Sequence, residues 1–287
     1  MKKGIIYALI TAVLFVTLEP VSKLVAGEIN PYAITFWRFA IGAVILLFPA
    51  VVKIKKIHIT LKELGIMTIL GILFICISMT ALQIGVQKAD TPSLIAIVFS
   101  SNSIFTILFA ALILKEKITK NKIIALILGV TGVLVCTDFS AATNIESVLY
   151  GGFAALSFSL YTVLSQKFVK RLGGIIQTSI VFMTGSIIML IALLVLKIDI
   201  TPDVSSGNIL AVMLYLGVFV TGVGYACYFK AIEKGGPIMA SLAFFIKPIL
   251  TPFVTLIVNG VALDIKVFVA AGCIVAASYF AIYKKNM

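Results

Sequence analysis

Apolar residues run along this chain in long blocks parted by short polar links. A block of about 20 residues crosses the hydrocarbon of a bilayer as a helix. The blocks are read at about 4–25, 31–52, 64–85, 91–114, 121–138, 147–167, 174–196, 208–230, 236–259 and 265–283, ten in all. The longest polar links are KIKKIHITLKE after the second block and KIDITPDVSSGN after the seventh. No link has the polarity or strand alternation of a soluble domain. The pattern predicts an all-α polytopic membrane protein.

Composition agrees. The chain has 287 residues, 61% hydrophobic and 12% charged, more apolar surface than a water-soluble fold can hide. Its net charge of +12 does not point to nucleic acid, because the cations lie in short loops on one face. With the N-terminus cytoplasmic, the inner side holds Lys2, Lys3, Lys53, Lys55, Lys56, Lys62, Lys115, Lys117, Lys120, Lys122, Lys167, Lys170, Arg171, Lys234, Lys284 and Lys285. Only Lys88, Lys197 and Lys266 fall outside. The bias predicts a plasma-membrane protein with both termini cytoplasmic. Lys2 and Lys3 before an apolar run imitate a signal peptide, but the run carries Glu19-Pro20 and lacks a clear cleavage site, so it is read as a retained first helix. Cys76, Cys136, Cys227 and Cys273 lie within apolar blocks as small core residues, without metal-ligand spacing.

The two halves repeat. A shift of 145 positions aligns Ala81 with Ala226, Pro92 with Pro237, Phe99 with Phe244, Thr106 with Thr251, Ala125 with Ala270 and Val130 with Val275. Each half has five blocks, and a proline opens the fourth in each. Five is odd, so a duplicated unit lies upside down relative to its copy. The expected organisation is therefore two inverted five-helix repeats, 1–140 and 141–287, around a central cavity. Inverted repeats of this kind suit secondary transporters, with the solute site between the halves near the midplane.

At this point the chain resembles the EamA-type drug/metabolite transporter superfamily. The resemblance rests on INPYAITFWRFAIGA, with Pro31 seven residues before Arg38, and on KEKITKNKIIALILGVTGVLV, where Glu116, Gly129 and Gly132 stand where the family places an acid and small residues. Val261 stands where the duplicated acid would be. The resemblance implies solute export or exchange driven by an ion gradient or a counter-solute, and it leaves the solute open.

Charge inside the apolar blocks is the next signal. A charged side chain at the bilayer centre costs about 2.5–3.5 kcal/mol. Lys247 sits inside FFIKPILTP in the ninth block, so a partner is expected. Pro248 removes the N–H that would reach the Phe244 carbonyl, and Pro252 does the same to Pro248. A kink with free carbonyls is expected there, tolerated at depth only against protein or a wet cavity. In the first block, VTLEPVSK sets Glu19 before Pro20 as Lys247 precedes Pro248. Glu19 lies about 7 Å from the midplane at 1.5 Å per residue, within reach of the lysine stem. Two readings stay open. The pair locks two helices together, or Lys247 takes a solute's anionic group while Glu19 holds its amino group or carries a proton. Arg38 is expected to snorkel or to bind a neighbouring helix end, and Lys23 and Lys230 to anchor at the interface. Asp90 reads as a helix cap before the fourth block, Asp138 as interfacial, and Glu116 as one half of a solvated ion pair.

Helical stripes extend the candidate site. Lys247, Thr251 and Thr255 share a face of the ninth block, and Thr11, Phe15, Glu19 and Ser22 a face of the first. Ser157, Tyr161 and Ser165 mark the sixth, Thr80, Gln83 and Gln87 the third, and Thr221, Tyr225 and Tyr228 the eighth. The fourth has Ser100 to Ser103 and Thr106, with Asn102 at the repeat position of Lys247. The predicted solute-binding set is Lys247, Glu19, Asn102, Thr251, Tyr161, Tyr225, Gln83 and Ser157.

Chemistry beyond binding has little to draw on. The single histidine, His58, lies in a lysine-rich loop, and no catalytic or nucleotide-binding motif is present. Neither an enzyme, a cofactor nor a metal is expected. The function predicted is secondary active export or exchange of a small anionic or zwitterionic metabolite, amino acids fitting best, coupled to a proton or counter-solute. Internal duplication makes an oligomer unnecessary. One alternative is a proton-coupled exporter of drugs or organic cations using Glu19, although the small multidrug resistance branch places its glutamate eight residues before a lysine, where Phe15 stands relative to Lys23. Others are an intramembrane lipid enzyme, for which no acid–base set is found, and a structural or sensory membrane protein.

Overall fold

Unbroken apolar sequence folds as helix in lipid because every backbone N–H must find its carbonyl within the segment. The computed structural model describes residues 2–54, 58–115, 119–136, 142–201, 207–241 and 243–282. These are helical apart from links and one isolated bridge between Ala26 and Ile29. The sequence expectations for Glu116 and Asp138 fall outside the described residues.

The first block forms α1 (Lys2–Val16) and α2 (Leu18–Lys23), and the second α3 (Pro31–Ile54). The third is one run of α4 (Leu61–Gly71), a π-helix π1 (Ile72–Met79) and α5 (Thr80–Lys88). Next come α6 (Pro92–Ser100), α7 (Asn102–Ile113), α8 (Lys120–Cys136), α9 (Ala142–Leu172) and α10 (Gly174–Val195). The eighth block contains α11 (Gly207–Tyr215), π2 (Leu216–Gly224) and the start of α12 (Tyr225–Ser241), and the chain continues with α13 (Ala243–Asn259) and α14 (Ile265–Ile282). Among the described residues, seven helical stretches are long and apolar enough to cross a membrane, and Ile123–Gly132, Ile246–Asn259 and Ile265–Ala277 are shorter apolar helices. The stretch Gly207–Ala240 is long because α12 continues across Gly236, whose φ of 82° is non-helical, into Pro237. Large side chains such as Phe48, Val52 and Ile257 point outward, as a lipid-facing surface requires. The chain is a multi-pass, all-helical membrane protein.

Local chemistry sets several boundaries. Thr60 and Glu63 form a reciprocal cap on α4, Glu63 N–H donating to Thr60 Oγ1 at 3.3 Å and Thr60 N–H to Glu63 Oε2 at 3.0 Å. Gly173, at φ 84°, turns the chain from α9 into α10. Lys23 ends the first block by donating to the carbonyls of Gln87 (3.0 Å) and Ala89 (2.7 Å) at the close of α5, a more specific role than interfacial anchoring. Lys230 lies over the ring of Tyr7. Asp90 is not a cap: the N-cap position of α6 belongs to Thr91, which makes no side-chain cap bond.

Packing brings the two ends of the chain together. α1 lies against α12 and α13, α3 against α10, α8 against α14, α5 and α7 against α9, and α6 against α13. The last residues of the two π-helices, Met79 and Gly224, are separated by the same 145 positions that relate the halves in sequence. At the centre is a shared aromatic mass. Phe15, Phe39, Phe74, Phe99, Phe158, Phe182, Tyr225 and Phe244 are all buried, with Tyr161 stacked on Phe74 at 4.4 Å.

Candidate functional site

The site begins with a proline. Pro20 has no N–H to offer the carbonyl of Val16, and the helix is interrupted at Thr17 between α1 and α2. Thr251 of α13 donates its hydroxyl to that Val16 carbonyl at 3.4 Å. Eight residues on, the Asn259 amide donates to the Pro20 carbonyl at 3.1 Å. The polar stripe of α13 thus engages backbone at the break in the first block. α13 itself continues as helix through Pro248 and Pro252.

At this contact Lys247 Nζ donates to Glu19 Oε1. Both side chains are 0% exposed. The ammonium also faces the rings of Phe99 at 5.2 Å and Phe244 at 5.9 Å. Of the two settings that a charge and a kink at this depth allow, protein or a wet cavity, the structure shows protein: the nitrogen is enclosed by a carboxylate and aromatic faces. A cavity of about 180 Å³ lies elsewhere, where α6 begins and α13 ends, lined by Asp90, Ser93, Thr255, Asp264 and Lys266. Two of its lining residues are joined, Ser93 donating its hydroxyl to Thr255 Oγ1 at 3.0 Å.

A third buried charge joins the pair, and depth reasoning from the sequence missed it. Arg38 is 1% exposed, so it does not snorkel. Its Nη2 donates to the sulfur of Met79 at 3.6 Å, and its guanidinium lies 4.8 Å from the centre of the Phe39 ring. Nε and Nη1 have no hydrogen-bond partner. The group interacts electrostatically with Tyr225, Glu19 and Lys247. Tyr225 closes the arrangement by donating to the same Met79 sulfur at 3.1 Å. The signal was available, since Arg38 interrupts the apolar run TFWRFAIGA.

The other predicted residues divide. Tyr225, Thr251, Lys247 and Glu19 are in one neighbourhood. Asn102 lies at the break between α6 and α7, its amide donating to the Phe99 carbonyl at 2.6 Å while its Oδ1 has no partner. Gln83 stands one helical turn beyond Met79 with Nε2 unpartnered. Tyr161 is drawn to a second locus, where it accepts from Gln177 at 3.4 Å. Ser157 bonds back to the Phe153 and Ala154 carbonyls of its own helix, at 2.6 and 3.2 Å. Ser100, Ser101 and Ser103 do the same in the fourth block, which relieves the backbone at its break. Glu19 Oε2, Ser22 Oγ, Thr106 Oγ1 and Thr221 Oγ1 complete a set of buried polar atoms without partners in the first, fourth and eighth blocks. The arrangement gathers opposite charges, unpartnered polar atoms and ring faces in one buried neighbourhood. No group of three or more metal-ligating side chains occurs among the described residues.

The chain is similar to known proteins. A transporter of Clostridium kluyveri named as uncharacterized is 36% identical over 291 residues, covering 97% of this chain and 92% of its own length. An S-adenosylmethionine uptake transporter of Rickettsia bellii is 26% identical over about half of each chain, 53% of this one and 52% of its own. A solved crystal structure superposes on 98% of this chain and 97% of its own with a TM-score of 0.73 at 16% identity, a likeness of fold. The model of the EamA-like transporter family matches residues 2–137 and 146–283, nearly the whole length, and the chain belongs to that family.

Proposed function

We propose that the chain is a secondary active transporter that exports or exchanges a small metabolite of the amino-acid type, by alternating access around the Glu19–Lys247 pair. That fully buried pair is the observation that carries the reading. A solute bearing a carboxylate and an ammonium can replace each partner in turn, its carboxylate on Lys247 and its ammonium on Glu19. No charge is then left alone in hydrocarbon in either the loaded or the empty state. The empty carrier closes on its own ion pair. The rings of Phe99, Phe244 and Tyr225 suit the solute's apolar part.

Ten spans arranged as two inverted units, about 1–140 and 141–287, supply the moving parts. The two matched stretches, the π-helices 145 positions apart and the reciprocal packing of α1 on α12 and α9 on α5 support this plan. Lysine bias supports cytoplasmic termini in the plasma membrane. A proton or a counter-solute would drive the cycle, Glu19 being the acid available at depth. S-adenosylmethionine, named for the Rickettsia relative, also carries an amino acid head and gives a second reading; the ring faces, which attract cations, favour it.

Counterflow in liposomes containing only this chain tests the proposal. Uptake of a labelled amino acid is expected when unlabelled solute is trapped inside, and loss of it in Glu19→Gln and Lys247→Ala. Folded protein that moves no amino acid in either direction, with or without a pH gradient, overturns it.

A further inference from the structure

We infer that Arg38 is an anion subsite beside the ion pair, and that the solute is an amino acid carrying a second acidic group. The inference rests on the transport reading above and narrows its substrate class. Among the described residues, Glu19, Arg38 and Lys247 are the acidic and basic side chains that are buried. Glu19 and Lys247 cancel, so one positive charge is left over at the core, and it belongs to Arg38. Such a charge is costly in hydrocarbon and calls for an anion.

The one carboxylate that Arg38 feels, Glu19, is already bonded to Lys247. The hydrogen-bond partners of Arg38 are a thioether sulfur, a weak acceptor, and the neutral Tyr225 hydroxyl, while Nε and Nη1 are unpartnered. Those two nitrogens belong to a planar fork of donors that matches a carboxylate in a bidentate fashion. The fork is also held in place. Phe39 lies against its face at 4.8 Å, and Tyr225 shares the Met79 sulfur with it. A guanidinium fixed by packing loses little freedom when it takes up an anion.

Electrostatic coupling ties this fork to the pair. An amino-dicarboxylate would then meet three complementary groups at once: its ammonium on Glu19, one carboxylate on Lys247 and the other on Arg38. Solute and carrier core sum to zero. A neutral zwitterion satisfies the pair but leaves Arg38 uncompensated, and a cationic solute adds charge of the same sign.

The experiment compares acids with their amides, which differ little in shape. The full chain in liposomes is loaded with labelled glutamate or glutamine, and aspartate or asparagine, and the ratio of acid to amide counterflow is read. The acid is expected to be favoured by about tenfold or more, as a charge-assisted hydrogen bond requires. In Arg38→Gln that ratio falls toward one whatever the absolute rate, and in Arg38→Lys, which keeps the charge without the fork, it falls part of the way. A wild-type ratio near one overturns the subsite while leaving amino-acid transport standing, and needs no variant that folds. A ratio unchanged in Arg38→Gln also overturns it. Failure to carry either the acids or the amides refutes both this inference and the broader reading.

Discussion

Replacing Glu19 with glutamine should destabilise the protein more than replacing Lys247 with methionine, because of where Arg38 sits. Both members of the pair are wholly buried. Unit charges about 4 Å apart attract by about 4 kcal/mol at an effective dielectric of about 20. Removing one partner of a buried pair costs about 3–5 kcal/mol, since the other is stranded away from water. In Lys247→Met the stranded Glu19 still has the Arg38 cation nearby, which puts the cost near 3 kcal/mol, the lower end of that range. In Glu19→Gln two cations are left facing each other, which puts it near 5 kcal/mol, the upper end. The double variant should cost less than the sum of the two, with a coupling of about 2–3 kcal/mol. Denaturation of the purified protein in detergent micelles gives all four free energies. A larger cost for Lys247→Met, or additive single effects, refutes the account of three interacting charges.

Other sites give simpler tests. A Cβ on Gly185 would come within 2.9 Å of the Gly71 carbonyl, where α4 and α10 touch backbone to backbone, so Gly185→Ala should cost about 1–3 kcal/mol in thermal unfolding. Gly152, with open space around it, should accept alanine without loss by the same measurement. Lys23→Met removes the donor from two carbonyls at the end of α5, for about 1 kcal/mol and faster hydrogen exchange there. The Thr201 hydroxyl and N–H hold the exposed Asp199 carboxyl below its usual range. Its contribution is present above the unfolded pKa and lost as pH falls through the depressed folded one, so protection of the Thr201 amide, measured relative to its intrinsic exchange rate at each pH, should fall in acid, and Asp199→Asn should blunt that response.

The fold class and the ion pair were legible because both follow from the cost of taking charge or backbone into oil. Lys247 and Glu19 each violate an apolar run, and two such violations of opposite sign seek each other. Arg38 violates one as plainly, yet a span-depth estimate put it within snorkelling distance of water, and only tertiary packing shows α3 pressed against α10 and π2 with no way out. Thr251 was legible as part of a stripe, but its acceptor was not, because Val16 is freed by a proline in a helix distant in sequence. The serines of the fourth block share the composition of a pore lining and instead repair their own backbone. Asp90 was misplaced as a cap by one residue, which is the ordinary uncertainty of a helix boundary. The π-helices have no sequence signature in this chain.

The ion pair also sets a schedule for biosynthesis. Its members lie 228 residues apart, so the acid is synthesised well before its lysine. At about 5–20 residues per second, the acid waits about 10–50 s for its lysine. During that interval the α1–α2 helix holds an unmatched carboxyl in or beside the bilayer, so its final seating waits until α13 has been made.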